Sequence, residues 1–514
     1  MQRGKHSAPT ATVRTGRRAS AGWMNGVAGP SRPVPGLSAF LTAYPQYGGT
    51  ACLDGVRAED YDYLDSGGHV YLDYAGSGLP AQWQLRAGID PPGRHAPPAT
   101  AAVCPMSPAS SRLVDRTRER VLAHFGASPD EYTVIFTGSA TGACRMVGEA
   151  YPFRAGTRFV QLVDNHNAVN GIREFARAQG AAIETVGLAE ADLRGDDDAM
   201  HAALRSPASR FGMLRRRSGE TRGLLAYPAQ SNFTGVRHPL GWIEAAHAHG
   251  YDVLLDAAAH VPTDPLDLSR IKPDFMPVSW AKFFGYPTAL GCLVARREAL
   301  ARLERPWFST RDRSSGAIGD WFQLTSDDAA ARNGAAGYRS IPDIEVGLYR
   351  LGQIGADTIR TRVRCLTGWL LDRLTSARHS GGAPLVRVYG PADLTDRGGT
   401  VAFSFLDEGG LVVDERLVAR DAAAHGITLR TGCFANPGAA ESAFAAIQAK
   451  DRSLAFRPYP DFAEDHLDGL AAPSGGAVRV SIGPATDLAD IARFLEFGFA
   501  TYLDPTRAAR KPVR

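Results

Sequence analysis

Between Tyr132 and Arg296 short apolar runs alternate with amphipathic ones, and that rhythm constrains the fold more than any other feature. "YTVIFT" (132–137), "RFVQLV" (158–163), "AAIETVG" (181–187), "GLLAYPA" (223–229), "YDVLLDAAA" (251–259), "PDFMPVSW" (273–280) and "LGCLVAR" (290–296) are short and rich in β-branched and aromatic residues. They read as strands. "SATGACRMVGEAY" (139–151), "AVNGIREFARAQG" (168–180) and "GWIEAAHAHG" (241–250) space their apolar residues as helices do. Strands that are apolar throughout need cover on both faces. The alternation therefore predicts an α/β layer fold around a mostly parallel sheet.

The flanks extend this frame. "SPASSRLVDRTRERVLAHFG" (107–126) places Leu113, Val114, Val121, Leu122 and Phe125 on one helical face and ends at Gly126. "HVYLDYAGSGLP" (69–80) reads as a short strand entering a glycine turn, and "PPGRHAPPAT" (91–100) as a loop. After the helical "TIRTRVRCLTGWLLDRLTSA" (358–377) come "LVRVYG", "GTVAFSFL", "DERLVARDAAAHG", "ITLRTG", "AVRVSIG" and a closing helix, "DLADIARFLEFGFATYL". These predict a smaller α+β domain over 345–505, following a large domain over 36–344 that includes an N-terminal segment, with 506–514 as a tail. A length of 514 residues suits two domains.

Residues 1–35 hold Arg3, Lys5, Arg14, Arg17, Arg18 and Arg32 and no acid, so taking that +6 from the formal +3 leaves the rest at −3. No large basic surface follows, no nucleic-acid motif is recognisable, and no apolar run marks a membrane span. The start reads as a disordered basic tail. The arginine-rich "RSPASRFGMLRRRSGETR" (205–222) reads as a solvated loop. Six cysteines lie far apart with no CxxC, so neither a disulfide framework nor a zinc site is expected. The chain reads as a reduced, cytoplasmic protein.

Within this frame Lys282 is conspicuous, a lone amine in "VSWAKFFGYP" (278–287). Burying an ammonium is costly, so it either snorkels to water or has a chemical task. Asp256 ends a strand 26 residues earlier. A carboxylate and a lysine at neighbouring strand ends suit pyridoxal phosphate: the aspartate keeps the pyridine ring protonated and the lysine forms the Schiff base. An ordinary ion pair is the plainer alternative. "FTGSATGACRM" (136–146) turns from strand to helix through small residues, where the free amides of Ala140 and Thr141 could hold a phosphate or simply cap the helix. Ser279 could add a hydroxyl. His166 follows a strand in "VDNHNAVNGIREF" (163–175), placed to stack on a ring, or else structural. Asn232 in "AYPAQSNFTGVRHPL" (226–240) could donate to a ring oxygen. Arg479 in "GGAVRVSIG" (475–483) has the planar fork that suits a substrate carboxylate.

Taken together, "HVYLDYAGSG", "VDNHNAVNGIREF", "AYPAQSNFTG", "VLLDAAAHVPTDPLDL", "VSWAKFFGYPTALGCLVAR" and "ITLRTGCFANPGA" resemble the class V aminotransferase-like pyridoxal-phosphate enzymes, and among them the aminotransferase-like domain of molybdenum cofactor sulfurases. The resemblance spans about residues 65–483. It implies a fold-type I three-layer sandwich, usually dimeric, with Lys282 bonded to the cofactor and Asp256 facing the pyridine nitrogen. His166 would lie on the ring, Ala140, Thr141 and Ser279 on the phosphate, Asn232 near the ring hydroxyl, and Arg479 on the amino-acid carboxylate.

The departures bear on the reaction. The sulfurases carry a further C-terminal domain, which a chain ending at 514 is expected to lack. Their sulfur-accepting loop reads Cys-Phe-Cys, whereas here it reads "RTGCFANPGAA", so Ala435 stands at the usual acceptor position. Cys433 accepts sulfur only if the loop shifts, and is otherwise a small apolar filler. Ala281, not histidine, precedes Lys282, as in the sulfurase subgroup. "WFSTRDRSSGAIGDW" (307–321) and "ARNGAAGY" (331–338), with Arg332 and Asn333, replace loops that lie near substrate or partner subunit. The expectation is a lyase that cleaves the carbon–sulfur bond of cysteine or a cysteine conjugate. Decarboxylating, aldol-type or cyclising chemistry, transamination, and a binding protein that has lost its chemistry are the alternatives.

Overall fold

A computed structural model describes residues 36–89, 107–206, 222–287, 289–304, 313–314, 322–323, 340–448 and 476–503. The basic tail, the loop 91–100, most of the arginine-rich 205–222, nearly all of the 307–321 and 331–338 loops and the 506–514 tail lie outside these residues.

The strands run in chain order: Val70–Tyr71 (β1), Tyr132–Thr137 (β2), Arg158–Leu162 (β3), Ala182–Val186 (β4), Gly223–Pro228 (β5), Tyr251–Asp256 (β6), Phe275–Ser279 (β7), Gly291–Arg296 (β8), Arg313–Ser314 (β9), Phe322–Gln323 (β10), Val386–Tyr389 (β11), Thr400–Phe405 (β12), Ile427–Thr428 (β13), Arg430–Gly432 (β14) and Ala477–Ser481 (β15). β2 to β8 form a seven-stranded sheet in the order β2-β8-β7-β6-β5-β3-β4. All its neighbours are parallel except those of β8, which runs against both β2 and β7.

Alternation along each strand builds the layers. In β5, Leu225 and Tyr227 enter one core while Leu224 and Ala226 enter the other; Cys292 and Val294 of β8 divide from Leu293 and Ala295 in the same way. The helices Ser107–His124, Asp197–Arg205 and Trp242–Ala248 cover the first face. Ala140–Ala150 and Ile172–Ala178 cover the second. The α/β layer expectation is borne out. Two elements differ locally. The helix expected over 168–180 is split at Gly171 into Asn167–Asn170 and Ile172–Ala178, and the strand expected in 69–80 pairs over two residues only.

The second sheet has the order β11-β12-β15-β14, antiparallel throughout. The helices Ala356–Ser376 and Leu488–Tyr502 pack on it. The N-terminal segment, which the sequence reading counts within the large domain over 36–344, contributes Phe40, Leu53, Val70 and Leu72 to this second core. The reason is strand pairing at long range. β1 lies parallel to β13, and an isolated parallel bridge joins Asp73 to Ser481.

Candidate functional site

The sheet order brings the chemistry-bearing residues to one rim. β2, β3, β5, β6 and β7 point the same way, and their carboxyl ends lead to Ala140, His166, Asn232, Asp256 and Lys282. Reversed β8 begins at that rim, its Gly291 paired with Thr137 on one side and Ser279 on the other. A Cβ on Gly291 would stand 2.4 Å from the Ser139 carbonyl carbon and 2.6 Å from the Ala140 nitrogen. Glycine thus lets the turn after β2 settle against the sheet edge. There the Ser139 side chain accepts from the Gly142 amide at 3.1 Å and caps the helix Ala140–Ala150. The Ala140 and Thr141 amides remain at the helix start, with Thr141 exposed.

β7 passes through Ser279 into a short helix, Trp280–Phe284, which carries Lys282 and ends at Gly285 with φ 64°. Lys282 Nζ donates to Asn232 Oδ1 at 3.1 Å. Burial pulls its amine down to about 8, against an upward pull from Asp256. Asp256 Oδ1 accepts from the Ala258 amide at 3.0 Å, and its Oδ2 carries no hydrogen bond among the described residues.

Asn232 is a junction. Its Nδ2 donates to the Phe434 carbonyl at 3.0 Å, and its own carbonyl accepts from Arg479 Nη1 at 2.9 Å. Arg479 is 1% exposed, with its guanidinium 4.6 Å from the Phe434 ring centroid and Nη2 paired to Asp73 Oδ1 at 2.9 Å. The cross-strand neighbour of Arg479 on β14, Arg430, takes the other oxygen of Asp73 through Nε at 2.9 Å and Nη2 at 2.6 Å. Two guanidiniums therefore share one carboxylate beside Lys282.

His166 caps the helix Asn167–Asn170, its Nδ1 accepting from the Ala168 amide at 3.1 Å. That acceptor role leaves the ring proton on Nε2. Burial, aided by Lys282 and Arg479 and opposed by Asp256, pulls the imidazole below its ordinary value.

The loop after β14 closes the site. Phe434 and Ala435 both have φ 56°. The Ala435 carbonyl accepts from the Asn167 amide at 2.8 Å, one residue from His166. Asn436 Nδ2 donates to Asp164 Oδ1 at 3.0 Å, and Asp164 also binds Ser231 Oγ and His238 Nε2, each at 2.9 Å. Cys433 is half-buried and packs on an apolar cluster of Leu193, Phe233, Tyr389 and Phe444.

Lys282, Asp256, His166, Asn232 and Arg479 are thus within mutual electrostatic or hydrogen-bonding reach, and Ala140, Thr141 and Ser279 lie on the same rim. Asp73, Arg430 and the Asp164–His238 pair escaped the sequence reading. Asp73 and Arg430 do stand inside the quoted stretches "HVYLDYAGSG" and "ITLRTGCFANPGA".

The family description aminotransferase class-V matches residues 70–494. Molybdenum cofactor sulfurase from Bos taurus is 31% identical over 514 residues, covering 95% of this chain and 56% of that protein. The chain thus spans about half the length of that relative. Among solved structures, the apo cysteine desulfurase of Thermococcus onnurineus NA1 superposes with a TM-score of 0.68 at 19% identity, over 86% of this chain and 96% of that one. A C-DES mutant with glycine covalently linked to its PLP cofactor gives 0.63 at 16% identity, over 86% and 98%. These two likenesses establish the shared fold, the three-layer sandwich with its mostly parallel central sheet.

Proposed function

This chain belongs to the aminotransferase class-V family, and on that premise we propose that it is a pyridoxal-phosphate-dependent lyase cleaving the carbon–sulfur bond of cysteine or a cysteine conjugate. The observation that carries this reading is Lys282, an amine pulled down to about 8 by burial, within the field of Asp256. The residues present fit the cofactor. The free Oδ2 of Asp256 suits a protonated ring nitrogen, the amides of Ala140 and Thr141 with the Ser279 hydroxyl suit a phosphate, and Asn232 suits a ring oxygen. When bound, pyridoxal phosphate supplies an aldehyde that captures the substrate amine and a charged ring that draws electrons from Cα.

The chain's own groups do the rest. The Lys282 amine would take the proton from Cα; near neutrality it can both hold and give up that proton. His166, kept neutral by burial, offers its ring as a stacking face. Arg479 offers its fork to the substrate carboxylate, which takes the place Asp73 holds on Nη2. Arg430 retains Asp73 during that exchange. Loss of the Cα proton expels the β-sulfur as a thiol. With cysteine and one water the products are hydrogen sulfide, pyruvate and ammonia, and no protein thiol takes part. Ala435 at the usual acceptor position and Cys433 on the apolar cluster favour this route over a persulfide relay. A homodimer is part of the proposal, because Thr141 lies open at the rim where a second copy can cover it.

Mass spectrometry of the cofactor-loaded protein after mixing with L-cysteine and with S-substituted cysteines tests the reading. Pyruvate and thiol should form, no sulfur should appear on Cys433, Cys433→Ser should keep turnover, and Lys282→Ala should lose it together with the cofactor's visible absorbance. Alanine release with one sulfur gained on Cys433 would replace elimination by desulfuration. No product from any of these substrates would overturn the lyase reading.

A further inference from the structure

A second cavity, of about 370 Å³, is lined by none of the site residues described above. Four guanidiniums line it. Arg360 and Arg364 stand one turn apart on the exposed face of the helix Ala356–Ser376, Arg237 comes from the loop after β5, and Arg397 from the approach to β12. Thr263 and Gly399 are walls of both this cavity and the smaller one that contains Lys282.

The charges do not balance internally. Asp264 bridges Arg237 Nη2 at 2.7 Å and Arg360 Nη1 at 3.4 Å, and Asp357 holds Arg360 Nη2 at 2.7 Å. Arg364 donates to the Leu394 carbonyl at 3.1 Å and has no carboxylate partner among the described residues. Arg397 is 3% exposed. Its Nη2 donates to the carbonyls of Thr234 at 2.8 Å and Thr400 at 2.7 Å, its Nη1 donates to Pro391, and its Nε has no partner. Burial lowers the Arg397 guanidinium to about 10, against an upward pull from Asp393, and lowers Arg237 as well, against Asp264. Carbonyl contacts alone explain why Arg397 pins its loop. They do not explain why three more guanidiniums meet it around a cavity of ligand size.

We propose that this cavity is a binding site for a phosphate-class dianion, free or carried by a small molecule. Four guanidiniums against Asp264, Asp357 and the Asp393 carboxylate that faces Arg397 still leave a positive excess, and the forked donors of arginine match tetrahedral oxyanions. This reading does not depend on what Lys282 does.

The test is calorimetric titration of inorganic phosphate into the cofactor-loaded full chain, in buffer free of other multivalent anions. One saturable site is expected. Arg360→Ala and Arg364→Ala, both at exposed helix positions, should each weaken it by about tenfold or more while leaving the melting temperature unchanged. Arg364→Lys should recover part of the loss. Absence of saturable binding, or unchanged affinity in both alanine variants, would overturn the proposal. O-phospho-L-serine separates the two sources of the dianion. If it binds more tightly than phosphate and shifts the cofactor's visible absorbance, the cavity holds the far end of a substrate. If it only matches phosphate and leaves the absorbance unmoved, the ligand is a free anion.

Discussion

An amine enclosed by protein parts with its proton more readily than one in water, and burial lowers Lys282 from the ordinary 10.5 to about 8. Burial penalises the charged form, so the neutral, nucleophilic form becomes dominant above about pH 8. Reconstitution of the cofactor-free protein should therefore speed up about tenfold per pH unit below 8 and level off above it. Stopped-flow absorbance at several pH values reads this directly; an inflection that stays near 10 would show that the amine is solvated. The bonds that set this environment were only partly legible. Lys282 stood out because one charge among apolar residues is a chemical anomaly in any sequence. Its partner Asn232 lies 50 positions away and Asp73 lies 406 positions from Arg479, distances over which no local pattern speaks.

At the level of elements the sequence was more informative, for a topological reason. In a parallel sheet each functional residue follows its own strand closely, so recognising the strands was enough to bring Ala140, His166, Asn232, Asp256 and Lys282 to one edge. The reversal of β8 could not be read, because an apolar run has no direction. Yet that reversal delivers Gly291 to the Ser139–Ala140 turn, where the phosphate is proposed to sit. A valine there would press its Cβ into the Ser139–Ala140 backbone. Gly291→Val should weaken cofactor binding by about tenfold or more through displacement of that turn. Gly142→Ala, where a Cβ meets its nearest atom at 3.6 Å, should leave affinity intact. Titration followed by visible absorbance compares the two; equal affinities would mean that the turn does not hold the phosphate.

For the whole molecule, the assembly proposed here predicts a particle near twice 54.9 kDa by gel filtration with light scattering. A single-chain mass across the working concentration range would contradict it. No described helix is long and apolar enough to cross a membrane. The membership of the N-terminal segment in the second core was hidden from the sequence, since β1 is two residues long and its partner β13 lies far along the chain. That segment has a mechanical meaning. At Asp73 it is fastened to the second sheet through Ser481, Arg479 and Arg430. At Gly78 it is fastened to the lysine's helix, where its amide donates to the Ala281 carbonyl at 2.8 Å and a Cβ would stand 2.9 Å from the Lys282 carbonyl oxygen. The chain between these anchors reaches about 17 Å when fully extended, and it is folded as a turn by bonds from Gly76 and Ser77 back to the Asp73 carbonyl. It is a short leash with a little slack. Any swing of the second sheet away from the first must first unwind that slack, and then pull on the backbone that carries Lys282.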